Sequence, residues 1–245
     1  MSGVVRLSEH LYLIEDTCNV YLVTDGDAGL AVGFGSGLVL EHLEGLGVTH
    51  LDWVLHTHHH RDQCQGDERL LRQGARLAVP AGERHLFEDA DGFWQRKRIY
   101  VMYDVSSIFN TRRESVPVAA SLSPEEPFTW RGYRFEVIPA AGHTRGSVAL
   151  RVEVDGRRVI FTGDLISSPG RSWTFYDLTW YYGPGAESLS MAIVRIDRLA
   201  RTPADLLLPS HGEPMTEPRR ALEALRPKLR RLIPLTLSLI HISEP

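Results

Sequence analysis

Residues 56–66 read HTHHHRDQCQG, placing four histidines and one aspartate within seven positions, 56–62. Imidazole nitrogens and carboxylates are the donors that a borderline divalent metal such as zinc takes. His58, His60 and Asp62 lie two apart, so an extended backbone would put their side chains on one side. Three further places repeat the chemistry: His143 in AAGHTRGS, Asp164 in IFTGDL and His211 in PSHGEP. Each follows an apolar run and sits beside a glycine, a repetition that packing does not explain. Within the cluster, His56 points into the preceding strand and reads as structural. His59 faces away from its neighbours and reads as a support or a solvated ring. Cys64 is either a thiolate ligand or, more simply, a small buried hydrophobe.

Such residues need strand ends to hold them, because ligands of α/β sheets gather where strands give way to loops. Apolar runs at 11–15 and 20–24 predict strands, and Asp25-Gly26 breaks the chain before a third at 30–34. LDWVL (51–55) runs directly into the histidines, and RLAVP (76–80) reads as the next strand. SVALRVEV and RRVIFTG are joined by Asp155-Gly156, a strong hairpin signal. LLLPSHGEP is a last strand and loop. Gly35 to Gly37 open a short helical segment carrying Leu38, Leu43 and Leu46. Residues 187–200 put Leu189, Ala192, Ile193, Ile196 and Leu199 on one helical face. Residues 217–232 read as a helix broken near Pro227. The stretch 91–118 is aromatic and basic without a period and reads as an insertion or lid; its RKR at 96–98 is a solvated face. Tyr100, Tyr103, Phe109, Trp173, Tyr176, Trp180 and Tyr181 are either core or the wall of a substrate pocket.

The chain has 245 residues, 43% of them hydrophobic, enough for one substantial domain or two small ones. A net charge of −4 gives no basic field for nucleic acid or an anionic membrane. Cys18 and Cys64 alone make no disulfide framework and suit a reducing compartment. The N-terminal stretch MSGVVRLSEHLYLIED has no apolar run of signal-peptide length, and nothing in the sequence approaches a membrane span. The expectation is a soluble, cytoplasmic, globular protein acting on a small molecule, with neither nucleic acid nor membrane as partner.

The order HxHxD, GHTxGS, a strand ending TGD and a late SHG resembles the metallo-β-lactamase superfamily, and within it the glyoxalase II-like hydrolases. The resemblance covers nearly the whole chain from the first hairpin to His211. It implies an αββα sandwich, two mixed sheets face to face with helices outside and a metal site along one edge. By position it gives His58, His60 and His143 to a first metal, Asp62 and His211 to a second, and Asp164 to both. One or two zinc ions are expected, with iron or manganese as alternatives. A lone histidine is more often structural than a ligand, but six positions matching in order reverse that expectation.

Two positions depart from the family pattern. Gln63 stands where a second-metal histidine is usual, a neutral amide that can still ligate, and Gly33 stands where a supporting aspartate is usual. Both would weaken the second position. The ligands imply a metal-activated hydroxide attacking a carbonyl or phosphoryl centre, with Asp62 in a catalytic role, orienting the water or carrying its proton; the resemblance to glyoxalase II implies an ester, thioester or related substrate. Two rivals are a mononuclear non-haem iron oxygenase of the persulfide dioxygenase type and a non-catalytic metal-binding domain. Residues 1–233 read as one domain. The last stretch, 234–245, has no continuing helical stripe and reads as a non-native or frayed tail, with the native chain extending further.

Overall fold

The computed structural model describes residues 3–92, 114–173 and 185–240. Seven strands follow one another across the first sheet: β1 (Val4–Arg6), β2 (Leu11–Glu15), β3 (Asn19–Asp25), β4 (Ala28–Val32), β5 (His50–Leu55), β6 (Arg76–Pro80) and β7 (Ala120–Leu122). Hairpins make β1 to β4 antiparallel. Crossovers make β4 to β7 parallel. The second sheet is ordered β12-β11-β10-β9-β8, from β8 (Phe128–Trp130), β9 (Tyr133–Pro139), β10 (Val148–Val154), β11 (Arg157–Gly163) and β12 (Leu206–Pro209). Only its β11–β12 pair is parallel. The helices are α1 (Arg61–Cys64), α2 (Asp67–Arg72), α3 (Arg84–Glu88), α4 (Gly185–Arg201) and α5 (Pro218–Ile240).

Alternating side chains show why the layers stack as they do. In β11, Val159 and Phe161 face the space between the sheets while Ile160 faces outward; in β12, Leu206 and Leu208 face in and Leu207 out. The outward residues meet Leu189, Ile193 and Ile196 of α4 and Leu222, Leu225 and Leu229 of α5. On the other sheet, Leu13, Tyr21 and Leu30 point inward. Ile14, Val20, Leu22 and Val54 point outward, against Leu70 of α2 and Phe87 of α3. Helices thus cover the outer face of β2 to β6 in the first sheet and of β11 and β12 in the second, whereas β9 and β10 alternate and turn Arg134, Glu136, Arg151 and Glu153 away from the core. The result is the expected αββα sandwich.

Several local expectations need correction. The segment after Gly37 forms two 3-10 turns, Leu38–Glu41 and Glu44–Leu46, instead of a regular helix. The last helix does not break at Pro227: it runs through Pro227 and Pro234 to Ile240. Leu222, Leu225 and Leu229, buried against α4, hold it across the missing backbone hydrogen bond. Residues 234–240 continue that helix, and 241–245 of the stretch read as a tail lie outside the described residues. Most of the segment read as a lid, and all the pocket-wall aromatics except Trp173, lie outside the described residues. No described helix is long and apolar enough to cross a membrane.

Candidate metal centre

Four strand ends deliver the donors. β5 runs into His58, His59 and His60, β9 into His143, β11 into Asp164 and β12 into His211. The expected extended run from His58 to Asp62 is not kept: Thr57 and His58 lie in a bend, and His60, with extended backbone angles (φ −62°, ψ 147°), precedes α1. Asp62 and Gln63 project from that first helical turn instead. Gly163 explains how β11 reaches the histidines. It adopts φ 56°, and a Cβ there would stand 2.8 Å from the Thr57 hydroxyl, so a side chain would push Asp164 away.

The first cluster comprises His58, His60, His143 and Asp164, all buried, with one ligand atom from each within 4.8 Å of the others. The three imidazole centroids lie 4.8, 4.9 and 4.7 Å apart, and every pair of rings is close to perpendicular. His143 Nε2 faces His60 Nδ1 at 2.9 Å and Asp164 Oδ2 at 3.2 Å. His58 turns Nδ1 toward the Thr57 hydroxyl at 3.0 Å. Its Nε2, like Asp164 Oδ1, is buried without a hydrogen-bond partner. An unmet buried polar atom costs about 1–3 kcal/mol, and His58 Nε2 stands 3.5 Å from Asp164 Oδ2, within the group of donor atoms that a cation would join. Burial also pushes the His58 pKa down to about 4, past the opposing pull of Asp164, leaving a neutral imidazole ready to ligate. Burial alone would raise Asp164, yet His143 and His58 hold its carboxyl well below the usual range. Three imidazole nitrogens and a carboxylate match the donor set that zinc takes.

Asp164 also belongs to a second cluster, with Asp62 and His211. His211 Nε2 lies 2.7 Å from Asp62 Oδ2 and 3.8 Å from Asp164 Oδ2. Burial lowers the His211 pKa, but the two carboxylates more than offset it and raise it overall. For Asp62, burial acts upward and the His211 contact wins downward. Gln63 is brought to the edge of this cluster, where its Nε2 donates to Asp62 Oδ2 at 3.1 Å. Its oxygen lies toward Gly33, 3.6 Å from where a Cβ of that residue would sit. The amide therefore supports Asp62 from behind. Trp173, half-exposed, stacks on the outer face of His211 with centroids 4.1 Å apart.

Long-range contacts fix these loops. Asn19 Nδ2 donates to the carbonyls of Pro209 (3.0 Å) and Gly212 (2.7 Å), and the Tyr21 hydroxyl to that of Pro209 (2.7 Å), bracketing His211. The Thr17 hydroxyl donates to the Asp62 carbonyl at 2.7 Å. The flanking histidines separate cleanly. His56 is buried, with Nε2 3.0 Å from Asp67 Oδ1 and its ring stacked on Phe87, a structural role as expected. His59 is buried rather than solvated, with Nδ1 2.9 Å from Glu83 Oε2. Cys64 is buried, and its thiol donates to the carbonyls of His59 and His60, away from the donor clusters. Sequence reasoning missed Asn19, Thr17 and Glu83, because no local pattern marks a residue whose partner lies far along the chain.

Comparison with known proteins agrees with this geometry. A family model described as the metallo-beta-lactamase superfamily matches residues 13–211. A hydroxyacylglutathione hydrolase of Aeromonas salmonicida is 26% identical over 161 residues, 66% of this chain and 48% of that protein. One from Pseudomonas putida is 29% identical over 124 residues, 49% of this chain and 36% of that protein. The chain therefore spans about half or less of the length of these curated relatives. Among solved structures, a Cronobacter sakazakii metallo-β-lactamase described by a HARLDQ motif superposes with TM-score 0.74 at 15% identity, covering 96% of this chain and 99% of that one; residues 58–63 here read HHHRDQ. A subclass B3 metallo-β-lactamase of Bradyrhizobium japonicum gives TM-score 0.73 at 14% identity, covering 97% and 96%. Identities this low establish a shared fold and nothing about substrate. The family match over most of the chain, the four-layer sandwich and two donor clusters sharing Asp164 lead to one conclusion: the chain belongs to the metallo-β-lactamase superfamily.

Proposed function

We propose that the protein is a metal-dependent hydrolase that cleaves a small ester or thioester, with zinc as its metal. The observation that carries this reading is the pair of donor clusters joined through Asp164. His58, His60 and His143, with Asp164, would hold the first ion, and Asp62, Asp164 and His211 a second. A divalent ion in such a donor set lowers the pKa of a coordinated water to about 7 and polarises a substrate oxygen.

The chain's own residues do the rest. Asp62, its side chain 34% exposed, is a carboxylate at the open rim, steadied by His211 and Gln63, and accepts a proton from the attacking water or orients it. Trp173 offers an apolar face beside His211 for the acyl or leaving group. Thioesters rank first because the curated relatives carry the name hydroxyacylglutathione hydrolase. The two buried cysteines form no disulfide, which fits a cytoplasmic setting.

The test is to load the purified protein with zinc and offer hydroxyacyl-glutathione thioesters, simple aryl esters and a chromogenic β-lactam, following thiol, phenol or ring opening. Thioester turnover that is lost in EDTA and regained with zinc is the expected result. Oxygen uptake by iron-loaded protein with a persulfide, without thioester turnover, would overturn the hydrolase reading in favour of an oxygenase.

A further inference from the structure

We propose that Glu83 is a positioning residue that holds the two histidine-bearing loops of the first metal cluster in register, acting through His59, Thr144 and Gly146. The inference rests on the metal reading of that cluster. Glu83 lies just after β6, and its carboxylate is 2% exposed. Oε2 accepts from Nδ1 of His59 at 2.9 Å, and His59 stands between the ligands His58 and His60. Oε1 accepts from the Gly146 backbone N–H at 3.1 Å and from the Thr144 hydroxyl, and Thr144 directly follows the ligand His143. One carboxylate thus ties together two loops more than eighty residues apart in the chain, each bringing nitrogens to the same point; His143 Nε2 and His60 Nδ1 are separated by 2.9 Å across that junction.

Two further observations support a dedicated role. A side chain at Gly146 would overlap Glu83 Cγ, and a Cβ at Gly82 would come within 3.4 Å of Gly146 Cα. The glycine in GHTRGS therefore exists to let this loop close onto Glu83. Burying a carboxylate costs several kcal/mol before its partners repay it. An apolar filler would pack more cheaply, but it could not link the two loops by hydrogen bonds. Partners of ligand-bearing groups typically change metal affinity by about 10- to 100-fold when removed.

The experiment compares the parent with Glu83→Ala, Glu83→Asp and Glu83→Gln. Zinc affinity is read by competition with a chromophoric chelator, the visible d–d spectrum with cobalt in place of zinc, and thermal unfolding on the metal-free proteins. Glu83→Ala should bind zinc about 10- to 100-fold more weakly and alter the cobalt band intensities. Glu83→Asp should do no better, because the shorter carboxylate cannot span both loops. Glu83→Gln should recover most of the affinity, its oxygen accepting from Gly146 and Thr144 while its amide donates to the other tautomer of His59. If Glu83→Ala does not fold, Glu83→Asp takes its place, with Glu83→Gln as the conservative control. Parent-like zinc affinity and cobalt spectra in Glu83→Ala, or in Glu83→Asp where it stands in, would overturn the proposal whatever happens to the melting temperature, and would leave the metal reading intact. A parent that binds neither zinc nor cobalt would overturn both.

Discussion

Replacing Gln63 by histidine tests the second donor cluster directly. In the parent, the Gln63 amide donates to Asp62 Oδ2 at 3.1 Å with its oxygen directed toward Gly33. The cluster then offers two carboxylates and one imidazole, from Asp62, Asp164 and His211. Gln63→His trades the donor behind Asp62 for an imidazole able to ligate beside it. A hydrogen bond to an ionised acceptor contributes about 1.5–3 kcal/mol, so the metal-free variant should be less stable. At about 2–4 °C per kcal/mol for a chain of this size, its melting temperature should fall by several degrees. The added ligand should tighten the second ion by ~10- to 100-fold, roughly 1.4 to 2.7 kcal/mol, which is about the size of that loss, so the metal-saturated variant should melt near the parent. Metal-free and metal-saturated unfolding, together with a two-ion zinc titration of both proteins, measure these effects. The parent should fill near one ion per chain at limiting zinc and approach two only in excess. Two equally tight sites in the parent, left unchanged by the substitution, would refute the reasoning.

Three other outcomes follow from the same coordinates. His58→Ala removes a buried nitrogen of the first cluster and should abolish zinc binding there; full stoichiometry in that variant, by elemental analysis, would disprove the assignment. Phe161→Ala empties a buried site that packs on Tyr21 with ring centroids 5.3 Å apart, and should cost about 3–5 kcal/mol by urea unfolding; a loss below 1 kcal/mol would mean the layer between the sheets is loosely packed. His10 and Asp155 pair at 2.6 Å, and Asp155 raises the His10 pKa. A raised histidine contributes stability below its unfolded value near 6.5, and that contribution disappears as pH climbs through the higher folded value. Burial raises Asp155, but the Ser8 and His10 contacts lower it overall, so its share is lost only on acidification below about 4. With the His10 side chain 41% exposed, the pair is screened and the whole effect stays within about 0.2–1 kcal/mol. Asp155→Asn keeps a residue type that tolerates the φ of 51° at the hairpin tip. The parent should therefore exceed it in stability by a larger margin near pH 5 than near pH 9; an equal gap at both values would sink the pairing argument.

The sequence by itself determined the donors and most of the elements that carry them. Two-residue spacing set His58 and His60 together, Asp155-Gly156 marked the hairpin between β10 and β11, and the apolar period of α4 placed Leu189, Ile193 and Ile196 on its buried face. These are local signals, because side-chain direction follows the backbone period over a few residues. Local reading failed where packing overrode propensity, as at Pro227, carried inside a helix by its contacts with α4. It also failed at Asp62, which a helical turn aims rather than an extended chain. Only the tertiary structure decided what stands behind the ligands. Asn19 reaches Gly212 across 193 positions, and Glu83 meets Thr144 across 61. Such pairs depend on which strands become neighbours, and sheet order is set by how the packed layers bury their apolar faces together, a property of the whole chain and of no single segment.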